Sequence, residues 1–121
     1  MSKRILVIED QEDNRRIVRD LLTSVGYELI EAVTGEEGMN LAEMHRPDLI
    51  LMDIQLPGLD GYEATRRIKA NRVLRQIPII AVTSYALSGD DIKAKEAGSD
   101  GYVTKPFSPR ALLAKIREYL P

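Results

Sequence analysis

The sequence predicts an α/β domain, a doubly wound, five-stranded parallel sheet with five helices. Three observations predict it. Short β-rich apolar runs alternate five times with longer amphipathic stretches, the pattern of βα units joined by crossovers. The run Leu49-Ile50-Leu51-Met52 is apolar throughout, as a central strand covered on both faces should be. Finally, Glu9-Asp10, Asp53, Thr83 and Lys105-Pro106 each follow an apolar run, which places them on the carboxyl edge, where open α/β sheets carry their sites.

Taken in order, the first strand spans Arg4 to Glu9. The helix after it has Ile17, Val18, Leu21, Leu22 and Val25 at helical spacing, with Gly26 as its stop. Tyr27 to Ala32 is the second strand. Thr34 with Glu37 forms a capping-box start for a second helix carrying Met39, Leu41, Ala42 and Met44. Pro47 ends that region, and Asp48 to Asp53 is the third strand. The segment from Leu56 to Gly61 is a loop of turn formers, with Asp60 as cap for a third helix. Tyr62, Ala64, Thr65, Ile68 and Leu74 lie on or beside that helix. Ile77 to Val82 is the fourth strand. Ser88 caps a fourth helix that ends at Gly98, and Asp100 to Thr104 is the fifth strand. Ser108 and Pro109 form a cap and first-turn pair for the last helix, whose buried stripe is Leu112, Leu113, Ile116 and Leu120.

The 121 residues suit one domain spanning the whole chain, 1–121, around a proper core. With 44% hydrophobic and 30% charged residues, the composition is that of a globular protein rather than a disordered one. The apolar runs are too short to cross a bilayer, and no charged-then-apolar leader precedes the first strand. The absence of cysteine excludes disulfides and thiolate metal sites. A cytoplasmic protein is the expectation. The net charge of −2, with basic residues spread along the chain, gives no pull toward nucleic acid.

The chemistry lies on the sheet edge. Glu9, Asp10 and Asp53 come from strands expected to be neighbours. Three crowded carboxylates stay ionised together only around a cation. An all-oxygen donor set suits a hard divalent ion, and magnesium typically takes one or two carboxylates, keeps waters and shares a phosphate. Lys105 adds a positive charge and Thr83 a hydroxyl donor, completing a cradle for a phosphoryl group. Asp53 is the candidate nucleophile, forming an acyl phosphate. Singly, each residue has a plain structural explanation: a polar turn, a capped loop, a solvated lysine. Their joint placement at strand ends makes a site of them. His45, the lone histidine, sits near a helix end, where it complements the dipole.

This residue set resembles the receiver domain of two-component response regulators. The resemblance covers the whole chain. It rests on Arg4-Ile5-Leu6-Val7-Ile8-Glu9-Asp10, on the stretch from Asp48 through Asp53-Ile54-Gln55-Leu56-Pro57 to Gly61, and on Gly101-Tyr102-Val103-Thr104-Lys105-Pro106-Phe107. It implies a flavodoxin-like strand order of 2-1-3-4-5. It also implies that Asp53 accepts a phosphoryl group from a histidine on a partner kinase or phosphotransfer protein. Glu9, Asp10, Asp53 and the Gln55 carbonyl would hold Mg2+, and Thr83 and Lys105 would bind phosphoryl oxygens. Lys105–Pro106 would be cis, and Thr83 with Tyr102 would form a switch read out on the α4-β5-α5 face. Lys93, Lys95, Tyr102 and Arg110 are candidates for exposure on that face. The donor would touch Asp13, Asn14, Ile17, Phe107 and Ser108. Two departures from the usual family pattern are Ser84 after Thr83, where alanine is commoner, and Leu59 in place of methionine.

Within the family the chain is similar to single-domain regulators. A downstream protein target, no direct nucleic-acid contact, no membrane, and a monomer or weak phosphorylation-dependent dimer are expected. Gln55 and Tyr85, each two residues beyond a strand-end site residue, are placed to tune the lifetime of the phosphoryl group by crowding attacking water. The alternatives are a small magnesium-dependent aspartyl phosphatase, a pseudo-receiver that is never phosphorylated, and a receiver excised from a hybrid kinase. A phosphatase would want a second acid and a water-excluding cap.

Overall fold

The computed structural model describes residues 2–83, 90–105 and 108–121. Its elements run β1 (Arg4–Ile8), α1 (Glu12–Ser24), β2 (Glu28–Ala32), α2 (Gly35–His45), β3 (Leu49–Asp53), α3 (Gly61–Ala70), β4 (Ile79–Thr83), α4 (Asp90–Ala97), β5 (Gly101–Thr104) and α5 (Pro109–Tyr119). The five strands form one sheet in the order β2-β1-β3-β4-β5, with all four neighbouring pairs parallel. The doubly wound order expected from the sequence is therefore the one observed.

Side chains alternate across a strand, and the two faces of this sheet carry separate cores. Ile5 and Val7 of β1 join Leu49, Leu51 and Ile80 against Val18 and Leu22 of α1 and Leu112 and Ile116 of α5. Leu6 and Ile8 join Ile50, Met52 and Ile79 against Ala42 of α2 and Ala64 and Ile68 of α3. A smaller cluster of Ile54, Ala81 and Ala94, with Tyr62 and Tyr102 beside it, lies under α4. All five residues of β3 and of β4 are buried.

The caps at Thr34, Asp60 and Ser108 fall where the sequence placed them. Thr34 Oγ1 accepts from the Glu37 amide at 3.1 Å, Asp60 Oδ1 from Glu63 at 2.9 Å, and Ser108 Oγ from Ala111 at 3.0 Å. Glu37 reaches back to the amide of Val33, at 2.7 Å, one residue before the cap. Gly26 and Gly98 follow their helices with positive φ, 94° and 108°, the left-handed conformation that glycine adopts freely at such ends.

Several expectations are corrected. Ile17, Val25 and Met44 are not in the core; they are 59%, 41% and 72% exposed. The inward face of α1 is centred on Val18 and Leu22, and Ile17 falls on its flank. Met44 likewise lies to one side of the buried Gly38–Ala42 face of α2. Strands are also shorter than drawn from the apolar runs. Tyr27, Asp48, Ile77 and Asp100 precede their strands and Glu9 follows its own. Asp48 still ties to β1, donating its amide to the Arg4 carbonyl at 2.9 Å and accepting the Arg4 amide at 2.8 Å. Leu74 lies beyond α3 and is buried, held by Asn71 Oδ1, which accepts the Val73 and Leu74 amides. The expected cap Ser88 lies outside the described residues.

Candidate functional site

The edge formed by the ends of β1, β3, β4 and β5 collects the polar residues singled out from the sequence. Glu9 follows β1 and stays attached to the sheet, its amide donating to the Ala32 carbonyl at 3.0 Å. Asp53 is the last residue of β3, in register with Val82. Thr83 ends β4, and its carbonyl accepts the Lys105 amide at 2.6 Å, which fixes where the lysine leaves β5. Glu9, Asp53 and Thr83 are buried, while Asp10 is half-buried.

One carboxylate oxygen from each of Glu9, Asp10 and Asp53 lies within 4.8 Å of the others. Lys105 Nζ hydrogen-bonds Glu9 Oε1 and stands 3.8 Å from Asp53 Oδ2. The other Glu9 oxygen accepts the Gln11 amide at 3.0 Å, and Asp53 Oδ1 accepts the Gln55 amide at 2.9 Å. Burial pushes the Asp53 carboxyl up to about 7; the Gln55 amide pulls it down, and the Glu9 carboxylate beside it raises it again. Burial works to raise Glu9 too. There the bonds from Lys105, Gln11 and Asp53 prevail, and its pKa is held below the ordinary carboxylate range. A cation among the three acids would offset both the burial and the neighbouring Glu9 charge that disfavour the ionised Asp53. The oxygen-only donor set and short separations fit a hard divalent ion.

Below this cluster a cavity of about 400 Å³ opens between α1 and α5, floored by Val7 and Leu51 and walled by Val18 and Leu112. Tyr102, on β5 in register with Ala81, is half-buried against the small cluster under α4. Lys93, Lys95 and Arg110 are exposed, as are Asp13, Ile17 and Ser108, while Asn14 is half-buried beside the cavity. The Gln55 side chain is exposed, and Gln55 enters the site through its amide. His45 is exposed in the last turn of α2. Ser84, Tyr85, Pro106 and Phe107 lie outside the described residues.

Two contributors went unseen in the sequence. Gly61 opens α3 directly against the end of β3, its amide donating to Ile54 O at 3.0 Å. A Cβ there would lie 2.2 Å from the Asp53 carbonyl oxygen. Arg15 donates from Nη1 to the Glu9 carbonyl at 2.9 Å. Gly61 had a partial signal, being the residue after a cap; Arg15 read only as one of several charges on α1.

Comparison with known proteins agrees with the geometry. The family model for the response regulator receiver domain matches residues 5–117. The polar-differentiation response regulator DivK of Brucella anthropi is 44% identical over 120 residues, covering 99% of this chain and 98% of the relative. DivK of Brucella ovis is 43% identical with the same coverage. Among solved structures, the receiver domain of the Pseudomonas aeruginosa sensor histidine kinase PA1611, with magnesium coordinated in its active site cleft, superposes with a TM-score of 0.92 at 38% identity. It covers 99% of this chain and 98% of that one. The Vibrio cholerae chemotaxis protein CheY4 gives 0.93 at 26% identity, covering 98% of this chain and 99% of that one. By sequence and by fold, the chain belongs to the response regulator receiver domains of two-component systems.

Proposed function

We propose that this domain accepts a phosphoryl group on Asp53 from a phosphohistidine of a partner kinase or phosphotransfer protein, and signals through protein contacts. The observation that carries the reading is the convergence, from separate stretches of chain, of three carboxylate oxygens within 4.8 Å with a lysine ammonium 3.8 Å from Asp53. Glu9, Asp10, Asp53 and the Gln55 carbonyl are the ligands assigned to Mg2+. The ion would supply positive charge to the phosphoryl oxygens and to the acids. Its assignment draws on the donor chemistry and on the magnesium of the Pseudomonas relative.

In the transfer an ionised Asp53 oxygen attacks phosphorus. The P–N bond to the donor histidine breaks, and its electron pair stays on the imidazole nitrogen. Lys105 is close enough to move from Glu9 toward the new phosphoryl oxygens, and the Thr83 hydroxyl is assigned to another of them. The two-state reading is that Thr83 draws toward the phosphoryl group and Tyr102 repacks against the space beside Ala81. That would bias the α4-β5-α5 face between two arrangements. The domain acts on its own phosphoryl group and on no separate substrate. Its placement in the cytoplasm, as a monomer or weak phosphorylation-dependent dimer with a protein target and no nucleic acid, completes the reading. Among the described residues no helix is long and apolar enough to cross a membrane.

Incubation with acetyl phosphate and magnesium, followed by intact-mass measurement, tests the assignment. The parent should gain one phosphoryl group and Asp53→Asn none, with unchanged circular dichroism. An Asp53→Asn protein that still labels would refute it, and release of many phosphates from aryl phosphoesters would favour a phosphatase.

A further inference from the structure

Among the described residues, a connected set of charged contacts outside the acidic cluster joins α1 to β2, and one member reaches back to the cluster. The Arg15 side chain is 12% exposed. Its guanidinium meets three acceptors: the main-chain carbonyl of Glu9 at 2.9 Å, the carboxylate of Glu12, and Glu31 Oε1 at 3.4 Å. Glu31 is held from the other side by Arg19, Nε to Oε2 at 2.7 Å and Nη2 to Oε1 at 2.8 Å. The residue after Glu31 is Ala32, whose carbonyl accepts the Glu9 amide at 3.0 Å. Both main-chain polar groups of Glu9 are thus anchored, the amide by β2 and the carbonyl by Arg15.

The Glu9 carbonyl and the Asp10 amide lie in one rigid peptide plane. The direction of that carbonyl therefore sets the direction in which Asp10 leaves the sheet. Asp10 lies beyond the last residue of β1, outside the ladder that places its neighbours. Among the described residues its side chain accepts one hydrogen bond, from Gln11 Nε2 at 3.2 Å on an exposed contact.

We propose that Arg15 is a positioning residue for the divalent cation, locking the Glu9–Asp10 peptide plane so that the Asp10 carboxylate stays within reach of Glu9 and Asp53. The proposal rests on the reading of those three acids as the cation site. Groups hydrogen-bonded behind metal ligands typically govern affinity by 10–100-fold. Lysine is a poor substitute, because one ammonium lacks the planar fork that spans three separated acceptors.

Calorimetric titration of Mg2+ into the metal-free protein, paired with urea denaturation, tests this. Arg15→Ala should weaken Mg2+ binding about tenfold or more, and Arg15→Lys should restore only part of it. Arg19→Ala, which loosens the same α1–β2 brace without touching Glu9, should lower the urea midpoint yet leave Mg2+ affinity within about twofold of the parent. Parental affinity in Arg15→Ala would overturn the proposal. An equal loss in Arg19→Ala would overturn it too, because the brace as a whole would then be responsible. If Arg15→Ala does not fold by circular dichroism, Arg15→Lys decides on the same criteria. Asp10→Asn separates the two levels: parental binding in that variant refutes the cation site itself, whereas lost binding there with unchanged Arg15→Ala refutes only the role of Arg15.

Discussion

Asp53 buries a carboxyl whose ionised form the chain itself does not fully support. Its pKa is pushed up to about 7, first by burial. In the unfolded chain the same group titrates near the ordinary aspartate value, about 4. Between those two values the folded state holds the extra proton, so stability is highest at the acidic end of the window. It falls as pH rises from about 4 through about 7. The full penalty above pH 7 is on the order of 4 kcal/mol. Glu9 has the opposite sign: its lowered pKa adds stability above the ordinary glutamate value, which is lost as pH falls through the folded value. Without magnesium, Asp53→Asn should therefore be more stable than the parent at pH 8, by roughly 2 kcal/mol, and much less so at pH 5. Urea titrations at both pH values check this, and parallel pH profiles for the two proteins would sink it. Added magnesium should raise the parent's urea midpoint at pH 8 and leave Asp53→Asn nearly unmoved.

These single-residue identities were legible because each site residue ends an apolar run, and run ends can be read without coordinates. Arg15 and Gln11 were not. Their contributions depend on where one carbonyl and one amide point, which no side-chain pattern encodes. The place of Lys105 was half legible: its residue type and its edge were plain, while its pairing with Glu9 across 96 positions of sequence needed the fold.

Among the elements, the junction of β3 and α3 is the most tightly constrained. Alanine in a helix is favoured over glycine by about 1 kcal/mol, yet a Cβ at Gly61 would sit 2.2 Å from the Asp53 carbonyl oxygen and 2.6 Å from Ile54 Cα. Both obstacles are backbone, so they cannot swing aside, and overpacking of this kind costs about 1–3 kcal/mol or more. Gly61→Ala should lose about 2 kcal/mol net and accept phosphoryl groups more slowly from acetyl phosphate. A variant as stable as the parent would show that the junction yields. The caps at Thr34, Asp60 and Ser108 were readable because capping is local chemistry. The flank positions of Ile17 and Met44 were not, since spacing alone does not say how wide the buried stripe is.

Among the described residues, helix α4 docks through small side chains. Its buried side chains among the described residues are Ala94 and Ala97, and Ile92 is 58% exposed. By contrast α5 buries Leu112 and Ile116 completely. An alanine methyl removes far less apolar area from water than a leucine or isoleucine side chain, so α4 gains less from docking. Local opening follows such differences. Hydrogen exchange should therefore find the amides of Ile92–Ala97 less protected than those of Leu112–Tyr119. Equal protection would contradict this, and would also weaken the case for α4 as part of a responsive face.

Over the whole molecule, the sheet separates two cores, and the polar edge is what both cores jointly hold in place. Ile5 and Val7 face one core and Leu6 and Ile8 the other, which is why β1 reads as an unbroken apolar run; the doubly wound sheet was legible in the five βα units, and its strand order only in the family resemblance. The site is a product of topology: β3 lies between β1 and β4, so residues far apart in sequence become neighbours without long loops. The connection across residues 71–78, between α3 and β4, runs along the opposite edge of the sheet, and it carries exposed Arg72 and Val73. A polypeptide divided there would hold Glu9, Asp10 and Asp53 in one fragment, and Thr83 and Lys105 in the other. Reassembly would have to rebuild the β3–β4 ladder, and acyl-phosphate formation would become a chemical reporter that the two halves had met. Radiolabel on the first fragment alone would show that the acids need no help from the second.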